Sequence, residues 1–152
     1  MRVNYTNGLE HIGGQVQHMG NELVEAIEKT RGVLKTLDVE GANELIQGDE
    51  VFDQMNRDIE SECLGIVVTQ APVACDWRRI ASIMRMVADL ERIADHCSDI
   101  AEYVVKLAKL SRVEIPDYFG KMFDLMKQML VNTVQAFVEM DNEKAISAAK
   151  QD

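Results

Sequence analysis

Two pairs of acidic residues have the spacing of metal ligands. Asp49 and Asp53 stand four apart, and so do Glu91 and Asp95. On a helix that spacing puts both side chains on one face, with Cβ atoms about 5–6 Å apart. Like charges so placed weakly destabilise the helix. Two such pairs on adjacent helices supply four hard oxygen donors, suited to magnesium, calcium, manganese or iron. A bound cation would relieve the repulsion. The same pattern also describes a solvated acidic face, since Asp-x-x-x-Asp and Glu-x-x-x-Asp are common in helices.

A basic stripe runs beside them. Arg78, Arg85 and Arg92 recur every seven residues and so line one helix face. Local pairing of Arg85 with Asp89 and of Asp89 with Arg92 would contribute about 0.2–0.5 kcal/mol each. The stripe reads as a docking strip for an acidic partner, as an anion site, or as a mixed-charge solvated face. His11 and His18 share a face, but no third ligand falls nearby. His96 follows Asp95 and points about 100° away from it. The Glu-x-x-His pairs of di-iron bundles are absent from the sequence. So are a Ser/His/Asp or Cys/His nucleophile arrangement, a P-loop and a dinucleotide fingerprint, which leaves no catalytic constellation.

Helical periodicity must position these residues. In a first segment Val16, Met19, Leu23, Ala26, Thr30, Val33 and Leu37 recur at steps of three and four. Gly13, Gly14 and Gly20 are expected to weaken its early turns. A break is expected near Asp38-Val39-Glu40-Gly41. A second segment, from about Glu40 to Gln70, carries Ala42, Leu45, Phe52, Met55, Ile59, Cys63 and Ile66. Pro72 reads as the start of the third helix, because proline is tolerated in a first turn. The third segment holds Ile80, Ile83, Val87, Leu90, Ala94, Cys97, Ala101, Val104 and Ala108 in one seam. Three such rods bury their stripes only side by side.

A short linker with Pro116 follows, and then the first seam returns. Phe119, Met122, Met126, Thr133 and Met140 repeat Val16, Met19, Leu23, Thr30 and Leu37, each moved by 103 positions. The turn repeats as well: Asp38, Glu40, Ala42 and Asp49 reappear as Asp141, Glu143, Ala145 and Asp152. The fold is therefore expected to be all-α, with two copies of one helical unit. Residues 1–112 form the first three-helix copy, and 113–152 hold the first one and a half helices of a second. The second copy reads as incomplete, and dimerisation through its exposed seam is the expected remedy.

The arithmetic agrees. The chain has 152 residues, 47% apolar and 28% charged, with 5% aromatics, nine Gly and two Pro. Few aromatics and few turn-formers disfavour an all-β fold. A net charge of −10 argues against a duplex nucleic-acid binder and against an anionic membrane surface. Cys63, Cys75 and Cys97 have no zinc-like spacing and read as reduced, partly buried thiols of a cytosolic protein. The methionines at seam positions read as core filler. The longest apolar run, Leu64 to Val68, is far too short to span a bilayer.

Several motifs come in a familiar order: Met19-Gly20, Asp49-x-x-x-Asp53, Ile59-Glu60-x-x-Cys63-Leu64, Gln70-Ala71-Pro72-Val73-Ala74 with Asp76-Trp77-Arg78, and Asp89-Leu90-Glu91-Arg92-Ile93-Ala94-Asp95-His96. In these the chain resembles the PhoU family of bacterial phosphate-uptake regulators. Trp77 stands where that family usually has Leu, and Ala94 where it usually has Gly. The resemblance implies tandem three-helix bundles related by a pseudo-two-fold. It implies metal ligation by Asp49, Asp53, Glu91 and Asp95, with Asp99 and Asp152 as additional candidates. The metal would be iron or zinc, with manganese or magnesium as alternatives. It implies a cytoplasmic, non-enzymatic, often dimeric adaptor between a phosphate ABC transporter ATPase and a sensor histidine kinase, which represses the phosphate regulon when phosphate is plentiful. Such a protein meets the membrane only through its partners. Other readings are a metal-binding regulatory domain detached from a sodium–phosphate cotransporter, and a metal-dependent enzyme.

Overall fold

The computed structural model describes the backbone of residues 2–151 and the side chains of residues 7–151. The elements are α1 (Arg2–Thr36), α2 (Val39–Gln70), α3 (Ala74–Leu107), α4 (Tyr118–Glu139) and α5 (Asn142–Ala149). Among the described residues all regular structure is helical. Helix α1 packs against α2, α3 and α4, α2 against α3, and α4 against α5.

The seams predicted from periodicity for α1 and α3 are the core, but the one predicted for α4 is not: Met122 and Met140 are largely exposed, and α4 buries Phe123, Leu130, Val134 and Ala136, one face over. Ile12, Val16, Met19, Leu23 and Ile27 of α1 are fully buried against Ile59 and Cys63 of α2 and Ile80, Ile83, Val87 and Val104 of α3. Thr30 is the one polar residue among the buried set described. Its hydroxyl donates to the Ala26 carbonyl at 2.7 Å, so its burial leaves no donor unpaired. Gly13, Gly14 and Gly20 do not fray α1, which runs unbroken through all three. Packing of the amphipathic face outweighs glycine's cost of about 1 kcal/mol per residue.

The turn repeat is real in three dimensions. Leu37 and Met140 both take the left-handed conformation, at φ 53° and 56°. Asp38 then caps α2 by accepting from the Glu40 and Gly41 amides, and Asp141 caps α5 by accepting from the Glu143 and Lys144 amides. An aspartate at this position satisfies two amides of a new helix that lack intrahelical partners.

The α2–α3 turn departs from the expectation. Helix α3 begins at Ala74 and not at Pro72. A proline ring disfavours right-handed helical backbone at the residue before it. Ala71 therefore ends α2 in a left-handed conformation, Pro72 lies in the turn, and Val73 is the extended cap of α3.

Helix α4 lies along α1, held by Phe123, Leu130 and Val134 and by two ion pairs. Arg31 meets Asp124 at 2.7 Å, and Lys127 meets Glu28 at 2.7 Å. Between α3 and α4 the chain leaves two apolar concavities of about 490 and 580 Å³, with Met122 and Met126 on the floor of both.

Candidate metal site

Antiparallel α2 and α3 bring the two acidic pairs together. One donor oxygen from each of Asp53, Glu91 and Asp95 lies within 4.8 Å of the others. The three come from two helices, so their convergence is a product of the fold and not of local spacing. Asp49, one turn before Asp53 on α2, stands close enough to feel the same field. Its carboxyl is pushed above the usual carboxylate range, first by burial and then by the charges of Asp95, Asp53 and Asp99. Glu91 is likewise pushed up, by burial first and then by the charges of Asp95, Asp53 and Asp49. Desolvation and like charge both disfavour the ionised form.

The predicted residues thus sort into layers. Asp53, Glu91 and Asp95 form the tight group. Asp49 belongs to the cluster through its charge coupling. Asp99 sits at the rim and pairs with His96 at 3.5 Å. Asp152 lies outside the described residues. A residue that the spacing analysis passed over, Arg57, reaches Asp53 at 3.7 Å. Its position four residues after Asp53 was the available signal, and it supplies one countercharge to an otherwise acidic face.

The donor set fits a hard cation. All the donors are carboxylate oxygens, which suit magnesium, manganese or iron better than they suit zinc in a structural thiolate or imidazole site. Burial first and like charge second raise these carboxyls, and a divalent ion at this place would offset both. The other two histidines are elsewhere: His11 faces Glu62 at 3.6 Å, and His18 faces Glu22 at 3.9 Å.

The arginine stripe divides. Arg92 pairs with Asp89 at 3.8 Å. The expected Arg85–Asp89 pair does not form among the described contacts, since Asp89 turns to Arg92 one turn on. The Arg78 guanidinium donates to the Cys75 sulfur at 3.4 Å. Cys63 and Cys97 are buried and Cys75 is exposed, all three as free thiols.

These features define a class: an all-helical bundle with a carboxylate cluster built across two of its helices. The PhoU domain family matches residues 16–104, and the chain belongs to that family. It is 33% identical over 144 residues to a phosphate-specific transport system accessory protein PhoU homolog of Aquifex aeolicus, covering 95% of this chain and 65% of that relative. A homolog of the same name from Clostridium acetobutylicum is 29% identical over 152 residues, covering 99% of this chain and 69% of the relative. The fold superposes on the crystal structure of the phosphate transport system regulatory protein PhoU from Streptococcus pneumoniae with a TM-score of 0.90 at 28% identity, covering 97% of this chain and 69% of that one. PhoU from Pseudomonas aeruginosa gives 0.88 at 27% identity, covering 96% and 70%. The chain therefore spans about two thirds of the length of these relatives. No described helix is long and apolar enough to cross a membrane.

Proposed function

We propose that this chain is a regulatory accessory protein of phosphate uptake. It acts in the cytoplasm as an adaptor between a phosphate ABC transporter ATPase and a sensor histidine kinase, and keeps phosphate-responsive genes off when phosphate is plentiful. The observation that carries this reading is its identity of about 30%, over nearly its whole length, to proteins named as accessory to phosphate-specific transport. The architecture is in keeping with it: long helices with mixed-charge outer faces suit contact with other proteins, and the carboxylate group of Asp53, Glu91 and Asp95 suits a bound ion. Deleting the chain in the organism that makes it is expected to raise phosphate-uptake transcripts in phosphate-rich medium. Unchanged transcripts would overturn the reading.

Within that role Asp49, Asp53, Glu91 and Asp95 hold a cation, iron or manganese by the chemistry of the donors. The ion would fix α2 against α3 and turn a repulsive face into a shaped one. The exposed apolar seam of α4 favours a homodimer in solution.

A further inference from the structure

We infer that the N-terminal half of α3 is the docking surface for an acidic segment of a partner protein, which Trp77, Arg78, Ser82, Arg85 and Met86 receive in one shallow concavity. The concavity opens to about 560 Å³. Trp77, the single tryptophan of the chain, is 47% exposed there. A tryptophan held half in water forfeits much of the burial it could gain, and Trp and Arg are the residues that most often carry the energy of an interface.

The charges decide what fits. The chain carries −10, and on its other surfaces Lys29 faces Glu44, Arg31 Asp124, Arg57 Asp53, Lys106 Glu102, Lys127 Glu28 and Lys144 Glu139, while Lys35, Lys109, Arg112, Lys121 and Lys150, without an ion pair among the described residues, lie outside this concavity. Arg78, Arg79 and Arg85 have no carboxylate within ion-pair distance among the described residues. Asp89, at the lower rim, is engaged by Arg92. The concavity is thus a local excess of positive charge around an aromatic and a methionine, on a protein of the opposite sign.

Arg78 and Arg85 are seven residues apart, which is about 10 Å along the helix. A segment with two carboxylates at that separation, and an apolar side chain between them, would pair both guanidiniums and cover Trp77 and Met86. A lipid surface or a nucleic acid fits less well. Either presents an extended sheet of negative charge, and the acidic body of the chain would come within a Debye length of about 8 Å when the patch touched it. A short protein segment meets the arginines alone.

From the proposed function this takes only that the chain works through a protein partner. The test places a photocross-linking amino acid at Ser82 of the whole chain in its own host and identifies the attached segment by mass spectrometry. The expected product is one protein segment with at least two Asp or Glu residues near the cross-link. In Arg78→Glu/Arg85→Glu its yield should fall about tenfold, with circular dichroism unchanged, and exchange of the partner's carboxylates for Arg should restore it. Cross-links to lipid, nucleic acid or a segment without carboxylates would overturn the inference. So would no cross-link, or a yield that charge reversal does not change. A captured partner unrelated to phosphate uptake would leave this surface standing and remove the regulatory reading. Derepression on deletion with no cross-link at Ser82 would do the reverse.

Discussion

Val134 of α4 stands in the space that a side chain at Gly20 of α1 would occupy. A Cβ at position 20 would lie 2.9 Å from one γ-methyl of Val134 and 3.1 Å from the other. Valine is stiff at χ1, so neither methyl can swing away freely, and the helices themselves must part. Gly20→Ala gains up to about 1 kcal/mol of helix propensity and meets an overpacking cost of about 1–3 kcal/mol. The net expectation is a less stable protein, with a melting temperature lower by a few degrees. Val134→Ala should make Gly20→Ala stabilising. Strict additivity in that double-mutant cycle would show that the two residues do not touch.

How much of this was legible beforehand depends on range. The break at Asp38, its repetition at Asp141 and the buried seams of α1 and α3 are local or periodic, so the sequence carries them in plain form. The acidic cluster was half legible: spacing paired Asp49 with Asp53 and Glu91 with Asp95, but only the packing of α2 on α3 selects Asp53, Glu91 and Asp95 as the tight group. What stayed hidden are competitions between equal local options. Asp89 could take Arg85 or Arg92 at allowed spacings and takes Arg92. Pro72 could open a helix or precede one, and the conformation of Ala71 decided for the second. The closeness of α1 and α4 at Gly20 is a tertiary fact that no helical pattern announces.

The raised carboxyls of Asp49 and Glu91 give the metal-free protein a definite pH response. Between the ordinary carboxylate range and their raised values the folded state holds more protons than the unfolded chain. Stability therefore falls as pH rises through that window and stays reduced at neutral pH. Asp49→Asn, which cannot ionise, should melt higher than the parent at pH 7, with the gain shrinking as the solution is acidified to about pH 4. A variant that melts lower at pH 7 would mean that favourable contacts to the Asp49 carboxylate outweigh the cost of its burial and of the like charges around it.

A divalent cation should act on the same face from the other direction. Binding to the folded state alone stabilises it by about 2.7 kcal/mol at a hundred times the dissociation constant. Manganese titrated into chelator-treated protein should raise the melting temperature by several degrees, and elemental analysis after desalting should find bound metal. Asp53→Asn/Glu91→Gln turns two of the three converging carboxylates into neutral amides and should abolish both effects. Equal metal content in parent and variant would place the ion elsewhere.

The three thiols should separate cleanly under alkylation. The thiolate is the reactive form. Burial, helped by the charges of Glu62 and Glu60, pushes the Cys63 thiol up to about 11, and burial raises Cys97 as well. Cys75 is exposed at the start of α3. Native protein treated with iodoacetamide at pH 8 should take up one label, on Cys75, and unfolded protein three. Early labelling of Cys63 or Cys97 would report opening of the α1–α2–α3 core.

The repeat sets up one comparison that separates sequence from surroundings. Met19 and Met122 hold matching places in two seams of the same spacing, 103 residues apart. Met19 is fully buried among α1, α2 and α3, whereas Met122 is 57% exposed at the open groove between α3 and α4. Truncating a buried methionine removes its transfer free energy and leaves a cavity, so Met19→Ala should cost about 2–5 kcal/mol. Met122→Ala leaves no sealed cavity and should cost well under 1 kcal/mol in the monomer, as surface changes do. Urea unfolding at low concentration reads both values on one scale. If the groove is covered by a second copy, the cost of Met122→Ala should grow with protein concentration while that of Met19→Ala stays constant, because only the first lies at a surface whose burial depends on mass action.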